Sequence, residues 1–228
     1  MSELVSYERR VVCFFDILGW KEHILNAGSD PVKVTELTKL LKVFGGDEIK
    51  ALNGRNQRLT SFSDCVVISC LESEVNLSNF ISGLSKIFLG AAHEGFFLRA
   101  GVTIGDICHQ ENMVFGPALN RAYLLESGGN YPRIILDDEV EVLKNFKCAE
   151  EEEGTFYIDA FKYLLGNGDL PREIVLQALG GIEQRVSRNI AALNSKPLSD
   201  KIANKKRSSP LEKMNWLHDR TRRLINDV

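Results

Sequence analysis

Val11-Val12-Cys13-Phe14-Phe15-Asp16-Ile17-Leu18-Gly19-Trp20 begins as an apolar run of strand length and reaches a carboxylate where the strand meets a turn. Alternation puts Phe14 and Asp16 on one face of that strand, and Cys13 and Phe15 on the other. A carboxylate at the end of a buried strand is costly unless a positive group offsets it. A second acid stands in a comparable place. Ser61-Phe62-Ser63-Asp64 reads as the polar tip of a hairpin between strand-like runs at 58–60 and 65–70. Taken singly, Asp16 reads as a cap for the following helix and Asp64 as a turn residue. Brought together on neighbouring strands the two would repel, and a divalent cation is the usual remedy. Paired carboxylates holding two metals also serve in-line displacement at phosphorus. Ile17 would then offer its backbone carbonyl as a third oxygen ligand, and Gly19 would permit a tight exit from the strand.

Outward from this pair, the spacing of Val34, Leu37, Leu40, Leu41 and Phe44 predicts a helix over 31–44, closed by Gly45-Gly46. A second helical period runs through Leu77, Phe80, Ile81, Leu84, Ile87 and Phe88. Residues 96–108 read as a strand interrupted by Gly101 and Gly105, where glycine marks a bulge or the close approach of another backbone. Pro117 suits the first turn of a helix running through Leu125. A short strand follows at 133–136, then a helix from an Asp137 cap to Phe146 and a last strand at 155–158. The order β-α-α-β-β-α-β-α-β predicts an α+β, ferredoxin-like or palm-type sheet, with helices on one face and the other face free. The catalytic domain is expected over 1–165 and a helical C-terminal extension over 166–228. That extension should contain helices at 171–193 and 210–228, with loops at 195–197 and 205–210.

Composition sets bounds. The 228 residues carry a formal net charge of −3, with 44% hydrophobic and 26% charged residues, ordinary for a soluble globular protein. Nothing there pushes toward nucleic acid or membrane, although the segment from Ser199 onward is basic, which reads first as a solvated helix face. The five cysteines form no CxxC pair, and four lie in strand-like runs, so they read as reduced thiols without a zinc site. The first ten residues lack an apolar h-region and no apolar stretch approaches spanning length, which points to a cytoplasmic location. There is no GxxxxGK[ST] loop and no G-x-G-x-x-G after a strand. Gly45-Gly46-Asp47-Glu48-Ile49 imitates a diguanylate cyclase signature, but it follows a helix, and a helix C-cap explains its glycines better.

Two further segments carry candidate site residues: Leu98-Arg99-Ala100-Gly101-Val102-Thr103-Ile104-Gly105-Asp106, and Phe115-Gly116-Pro117-Ala118-Leu119-Asn120-Arg121-Ala122-Tyr123-Leu124-Leu125-Glu126. Asn120 lies about one turn into its helix, where its amide could reach a ribose oxygen or simply face solvent. At this point four stretches agree in order. Residues 14–20 resemble the first metal motif of class III nucleotidyl cyclases, and 61–64 the hairpin with their second metal aspartate. Residues 99–105 and 115–122 resemble the later strand and helix motifs. The resemblance spans roughly residues 9–136.

It implies cyclisation of a nucleoside triphosphate to a 3′,5′-cyclic monophosphate with release of pyrophosphate, using two Mg²⁺ or Mn²⁺ ions held by Asp16, Ile17 and Asp64. It also implies a homodimer, with the metal aspartates of one subunit facing the Asn120 helix of the other. Three positions depart from the purine cyclases. The base-reading positions fall on Thr60 and Met113, neither able to supply a charge-assisted contact, and the helix arginine falls on Leu124. Arg121 and Arg99 are the candidates to replace that cation, and each also reads as a structural ion-pair partner. Phe14, Arg58, Thr60 and Met113 are the expected nucleotide contacts, although a residue placed like Phe14 is more often simply core. A compact cyclase lacking the purine readers looks like the pyrimidine cyclases of antiphage Pycsar systems. That likeness implies UTP or CTP as substrate and a cyclic product that acts on a separate effector. Uridylate cyclase is favoured as the commoner activity; the residues leave CTP open, with a purine cyclase or a silent nucleotide-binding dimerisation module as rivals.

Overall fold

In the computed structural model, which describes residues 5–44, 57–73, 76–110, 113–167, 170–195 and 201–227, one strand pairs with an antiparallel neighbour on each side. This is β1 (Glu8–Ile17), flanked by β3 (Cys65–Leu71) and β4 (Leu98–Gln110). β2 (Arg58–Phe62) extends the sheet beyond β3. On the far side follow β6 (Ile134–Leu136), β8 (Thr155–Ile158) and β7 (Glu150–Glu152), while β5 (Met113–Phe115) pairs with the end of β4. Only β4 and β6 run parallel among these pairs. The order β2-β3-β1-β4, with helices between β1 and β2 and between β3 and β4, is the α+β, ferredoxin-like arrangement expected from the sequence.

The two-residue period of β1 sorts its side chains as anticipated. Val11, Cys13, Phe15 and Ile17 enter the main core with Val66, Ile68 and Cys70 of β3 and Leu98, Ala100, Val102 and Ile104 of β4. Over them lie α2 (Pro31–Val43), through Leu37 and Leu40, and α3 (Leu77–Glu94), through Phe80, Ile81, Leu84, Ile87 and Phe88. Asp30 caps α2 and Asn76 caps α3, each accepting a backbone N–H of its own first turn. A short α1 (Trp20–Ala27) leaves β1 through Gly19, whose φ of 75° is left-handed.

The second face of the sheet, expected from the sequence to be free, is covered. α4 (Pro117–Gly128) lies across β1 and β4 there and buries Ala118 and Ala122 against Val12, Phe14 and Ile107. Small residues admit it. A Cβ on Gly101 would stand 2.2 Å from the Ala122 carbonyl oxygen and 2.9 Å from the Glu126 nitrogen. The glycine expected to mark close backbone approach does so, and the backbone is that of α4.

Two local expectations fail. Asp137 does not cap a helix reaching Phe146; α5 is the single turn Glu141–Lys144 with Val140 at its N-cap, while the Asp137 carboxylate takes hydrogen bonds from Arg121, Thr103 and the Glu139 amide. The loop expected at 205–210 is helical, since α8 (Lys201–Asn226) runs straight through Pro210. Packing overrides the local preference here. Leu217 and Leu224 of α8 join Val175, Leu179, Ile182 and Val186 of α7 (Arg172–Ser195), Phe161 and Leu164 of α6 (Ala160–Asn167), and Leu89, Ala92 and Phe97 of the sheet domain. Arg220 adds an ion pair to Asp159 and another to Glu150 at 2.8 Å. The glycine-rich 45–49 stretch and residues 196–200 lie outside the described residues.

Substituting Gly101 by Ala forces backbone against backbone. We expect Gly101→Ala to destabilise the protein by about 3 kcal/mol, read as a lower urea midpoint at unchanged slope.

Candidate active site

The two aspartates meet. Asp16 sits opposite Cys65 in the β1–β3 ladder, and Asp64 occupies the two-residue turn just before Cys65. The Ile17 amide donates to the Asp64 carbonyl at 3.1 Å, tying the hairpin tip to the end of β1. Ligand atoms of Asp16, Asp64 and Cys65 all lie within 4.8 Å of one another, the one such group found among the described residues. Burial, and then the neighbouring Asp64 and Asp16 charges, push the Cys65 thiol up to about 12, so it stays protonated at neutral pH. The donor set therefore reduces to two carboxylates, which suits a hard cation such as Mg²⁺ or Mn²⁺ rather than zinc.

Arg99 stands beside this pair, opposite Asp16 in the β1–β4 ladder. It lies 3.1 Å from Asp16 and 2.5 Å from Glu126, and donates to the Gly129 carbonyl at 2.7 Å. Glu126 is buried on the sheet side of α4, and burial raises its pKa against the pull of Arg99. The half-buried Lys213 of α8 belongs to the same electrostatic group. Burial lowers its pKa and nearby Arg99 lowers it further, while Asp16 and Glu126 oppose the shift. Trp216, one residue-triplet along α8, stacks on Tyr131 with ring centroids 5.0 Å apart. The helical extension thus reaches the Asp16–Asp64 end of the sheet. Neither Glu126 nor Lys213 was singled out from the sequence; Glu126 falls at the same helical phase as Ala118 and Ala122, a signal that it faces the sheet.

At the other end of the same face, Thr60 and Arg58 of β2 meet a buried polar chain. Arg10 Nε donates to Ser69 Oγ at 2.8 Å, Ser69 Oγ lies 2.8 Å from His109 Nδ1, and His109 Nε2 lies 3.0 Å from Thr60 Oγ1. Arg58 donates to the His109 carbonyl and pairs with Glu8 at 3.3 Å. Burial, then the charges of Arg10 and Arg58, bring the His109 pKa down to about 4, so the ring is neutral at pH 7. A pocket of about 240 Å³ opens beside Glu8, Arg58 and His109. Met113 is exposed on β5, opposite Gln110 at the end of β4. His109, Ser69 and Arg10 were missed in the sequence because each is an isolated polar residue in an otherwise strand-like run.

Phe14 is both packed and within reach of the site face; it is 9% exposed and contacts Tyr123 edge-on at 5.5 Å. Asn120 faces outward from α4, as does Leu124, which is 61% exposed. Arg121 is committed elsewhere. It chelates Asp137 at 2.6–3.1 Å and reaches Asp138 and Glu139. Burial works against the Asp137 carboxylate, but hydrogen bonds from Arg121 and Thr103 hold it below the usual range.

With this geometry in place, the likeness to solved structures has a basis. The dimeric guanylyl cyclase domain of the RhoGC fusion protein from the aquatic fungus Blastocladiella emersonii aligns at TM-score 0.51 and 16% identity, covering 69% of this chain and 97% of that domain. The chain has the fold of a class III cyclase catalytic domain. The guanylate cyclase domain of RhGC from Catenaria anguillulae in complex with GTP aligns at TM-score 0.47 and 15% identity, covering 68% and 96%. The adenylyl cyclase CyaB from P. aeruginosa aligns at 0.45 and 16%, covering 68% and 94%. The chain matches no protein-family model and no curated protein sequence. No helix among the described residues is long and apolar enough to cross a membrane.

Two measurements probe these assignments. Mn²⁺ titrated into the protein should lose its free-ion EPR signal. Asp16→Asn and Asp64→Asn should each weaken that binding at least about tenfold, roughly 1.4 kcal/mol. Arg121→Met should cost about 3 kcal/mol by stranding the buried Asp137. Because Asp137 is held low, its contribution is present above the unfolded carboxylate pKa and lost as pH falls through the folded value. The wild-type advantage over Arg121→Met should therefore shrink on acidification below about pH 4 in urea melts.

Proposed function

We propose that this chain is a pyrimidine nucleotide cyclase that converts UTP to 3′,5′-cyclic UMP and pyrophosphate. The observation that carries the reading is the convergence of Asp16 and Asp64, with Asp16, Asp64 and Cys65 ligand atoms within 4.8 Å of one another at the end of β1. Two cations bound by these carboxylates, with the Ile17 carbonyl, would lower the pKa of the ribose 3′-hydroxyl and screen the triphosphate. Asp16 and Asp64 would hold those cations, whose charge would position the α-phosphate for attack by that oxygen. Asn120 orients the ribose, and Arg58, Thr60 and Met113 contact the base, with Phe14 lining the pocket wall. Thr60 and Met113 offer no charge at the two positions where the purine cyclases carry their base readers, which is the ground for preferring a pyrimidine over a purine. CTP is the second candidate. The cyclic product serves as a second messenger in antiphage defence, acting on a separate effector.

The site is completed by a second copy. Phe62, Met113, Phe115, Tyr123 and Leu124 are large apolar residues that stand between 47% and 80% exposed, at the β2–β3 tip, on β5 and on α4. Two copies facing each other would cover these residues and bring Asp16 and Asp64 of one to Asn120 of the other. A catalytically silent nucleotide-binding dimer is the one rival with a specific observation behind it. Leu124 replaces the helix cation, Arg121 is bound to Asp137, and Arg99 is held between Asp16 and Glu126.

Purified protein incubated with each of the four NTPs and Mn²⁺ should yield cyclic UMP and pyrophosphate from UTP and little from ATP or GTP; a cyclic product from ATP alone would end the pyrimidine reading. Asp64→Asn and Asn120→Ala should each be inactive alone. Mixed in equal amounts, they should recover about a quarter of wild-type activity, since half the dimers carry one intact site of two.

A further inference from the structure

We propose that Lys213, carried by the helical extension, is a phosphate ligand of the active site: its ammonium holds the β- and γ-phosphates of the nucleotide bound at the Asp16–Asp64 pair. The inference rests on the cyclase reading for the triphosphate, and on the docking of α8 for the position of the cation.

The docking runs through one loop. The Gly129 carbonyl, just past the end of α4, accepts from Arg99, which itself lies 3.1 Å from Asp16. Two residues on, Tyr131 holds α8. Its ring lies flat on Trp216, centroids 5.0 Å apart and planes 8° from parallel, and its hydroxyl stands 3.5 Å from Glu212 Oε1. Lys213 falls between these two anchors, and on a helix of 3.6 residues per turn positions 212, 213 and 216 share an arc of about 100°. The turn that grips Tyr131 therefore brings Lys213 to Arg99, Asp16 and Glu126, the groups beyond its own helix whose charges bear on it. Farther along α8, the buried Leu217 and the Arg220 pair with Glu150 fix the same docking independently.

Lys213 has no structural work to explain it. Among the described residues no carboxylate stands within ion-pair distance of its ammonium, and the two nearest the site, Asp16 and Glu126, are already bridged by Arg99 at 3.1 and 2.5 Å. A half-buried cation without a direct partner is costly, and one beside a divalent-ion site works against the ions unless an anion joins them. With two divalent cations on Asp16 and Asp64, those ions together with Arg99 and Lys213 carry more charge than Asp16, Asp64 and Glu126 can offset. A polyanion removes the excess. A triphosphate whose α-phosphate meets the ions extends its β- and γ-phosphates toward the next cations. Arg99 retains Glu126 as a partner, so Lys213, a point charge on a flexible four-carbon stem, is the cation left to turn to phosphate.

The experiment compares three probes on the full chain in Mg²⁺: inorganic pyrophosphate, UTP and UMP, each by equilibrium calorimetry. Lys213→Gln should weaken pyrophosphate and UTP about tenfold and leave UMP within about twofold. Lys213→Arg should restore most of the loss, which a packing defect would not allow. The urea midpoint of Lys213→Gln should match the wild type, since the side chain makes no direct ion pair. An equal loss of UMP affinity would reveal only a general field and overturn the inference. So would pyrophosphate affinity that is unchanged in Lys213→Gln, or absent in the wild type. Lys213-dependent pyrophosphate binding with no cyclic product from any of the four nucleoside triphosphates sinks the cyclase and spares the inference. Cyclic product together with pyrophosphate affinity indifferent to Lys213 does the reverse.

Discussion

One backbone hydrogen bond ties the two aspartates together: the Ile17 amide to the Asp64 carbonyl, at the last rung between β1 and the β2–β3 tip. It works together with the register that sets Asp16 opposite Cys65. Side chains alternate with a period of two, so a slip of one residue would send Asp16 into the apolar core and bring Phe15 or Ile17 to the tip. The two-residue turn blocks that slip. Its first residue, Ser63, has a φ of 55°, the left-handed value that a tight hairpin of this length demands and that a non-glycine residue adopts only under constraint. Strain at the tip and polarity beneath it are therefore two sides of one requirement, that Asp64 stand next to Asp16.

The same alternation explains how a sheet can be a core and a site at once. Odd residues of β1 are fully committed to α2 and α3. Even residues build the opposite face, where Arg10 belongs to the His109 chain, Val12 and Phe14 support α4, and Asp16 reaches the tip. α4 is admitted only over the glycines of β4. It then presents Ala118, Ala122 and Glu126 inward and Asn120 and Leu124 outward, on the opposite side of the helix. Asn120 thus faces away from the sheet of its own subunit.

Much of this was legible in the sequence, and the rest was hidden for identifiable reasons. Strand β1, the hairpin and helices α2, α3 and α4 follow from apolar period and turn chemistry, because each buries one face and is polar on the other. The Asp16–Asp64 pair was legible because two acids at strand ends need a common explanation. The path of α8 was not, since Lys205 to Pro210 reads locally as a loop, and only the cluster around Leu217 and Leu224 together with Arg220 outweighs Pro210. The engagement of Asp137 by Arg121 was hidden because an Asp ahead of a helical run also reads as a cap. Single polar residues such as Ser69 and His109 gave no signal, as their meaning lies in partners forty or more residues away.

Charge gathers around the Asp16–Asp64 pair. Arg99 lies between Asp16 and Glu126, so its single charge is divided between two carboxylates. Without Glu126, Arg99 would neutralise Asp16 and compete directly with any cation. With it, Asp16, Asp64 and Glu126 outnumber Arg99 and Lys213 by one negative charge, and the tip keeps a field that favours a divalent ion. The buried acid on α4 thereby fixes the charge state around Asp16 from a position where water cannot compete.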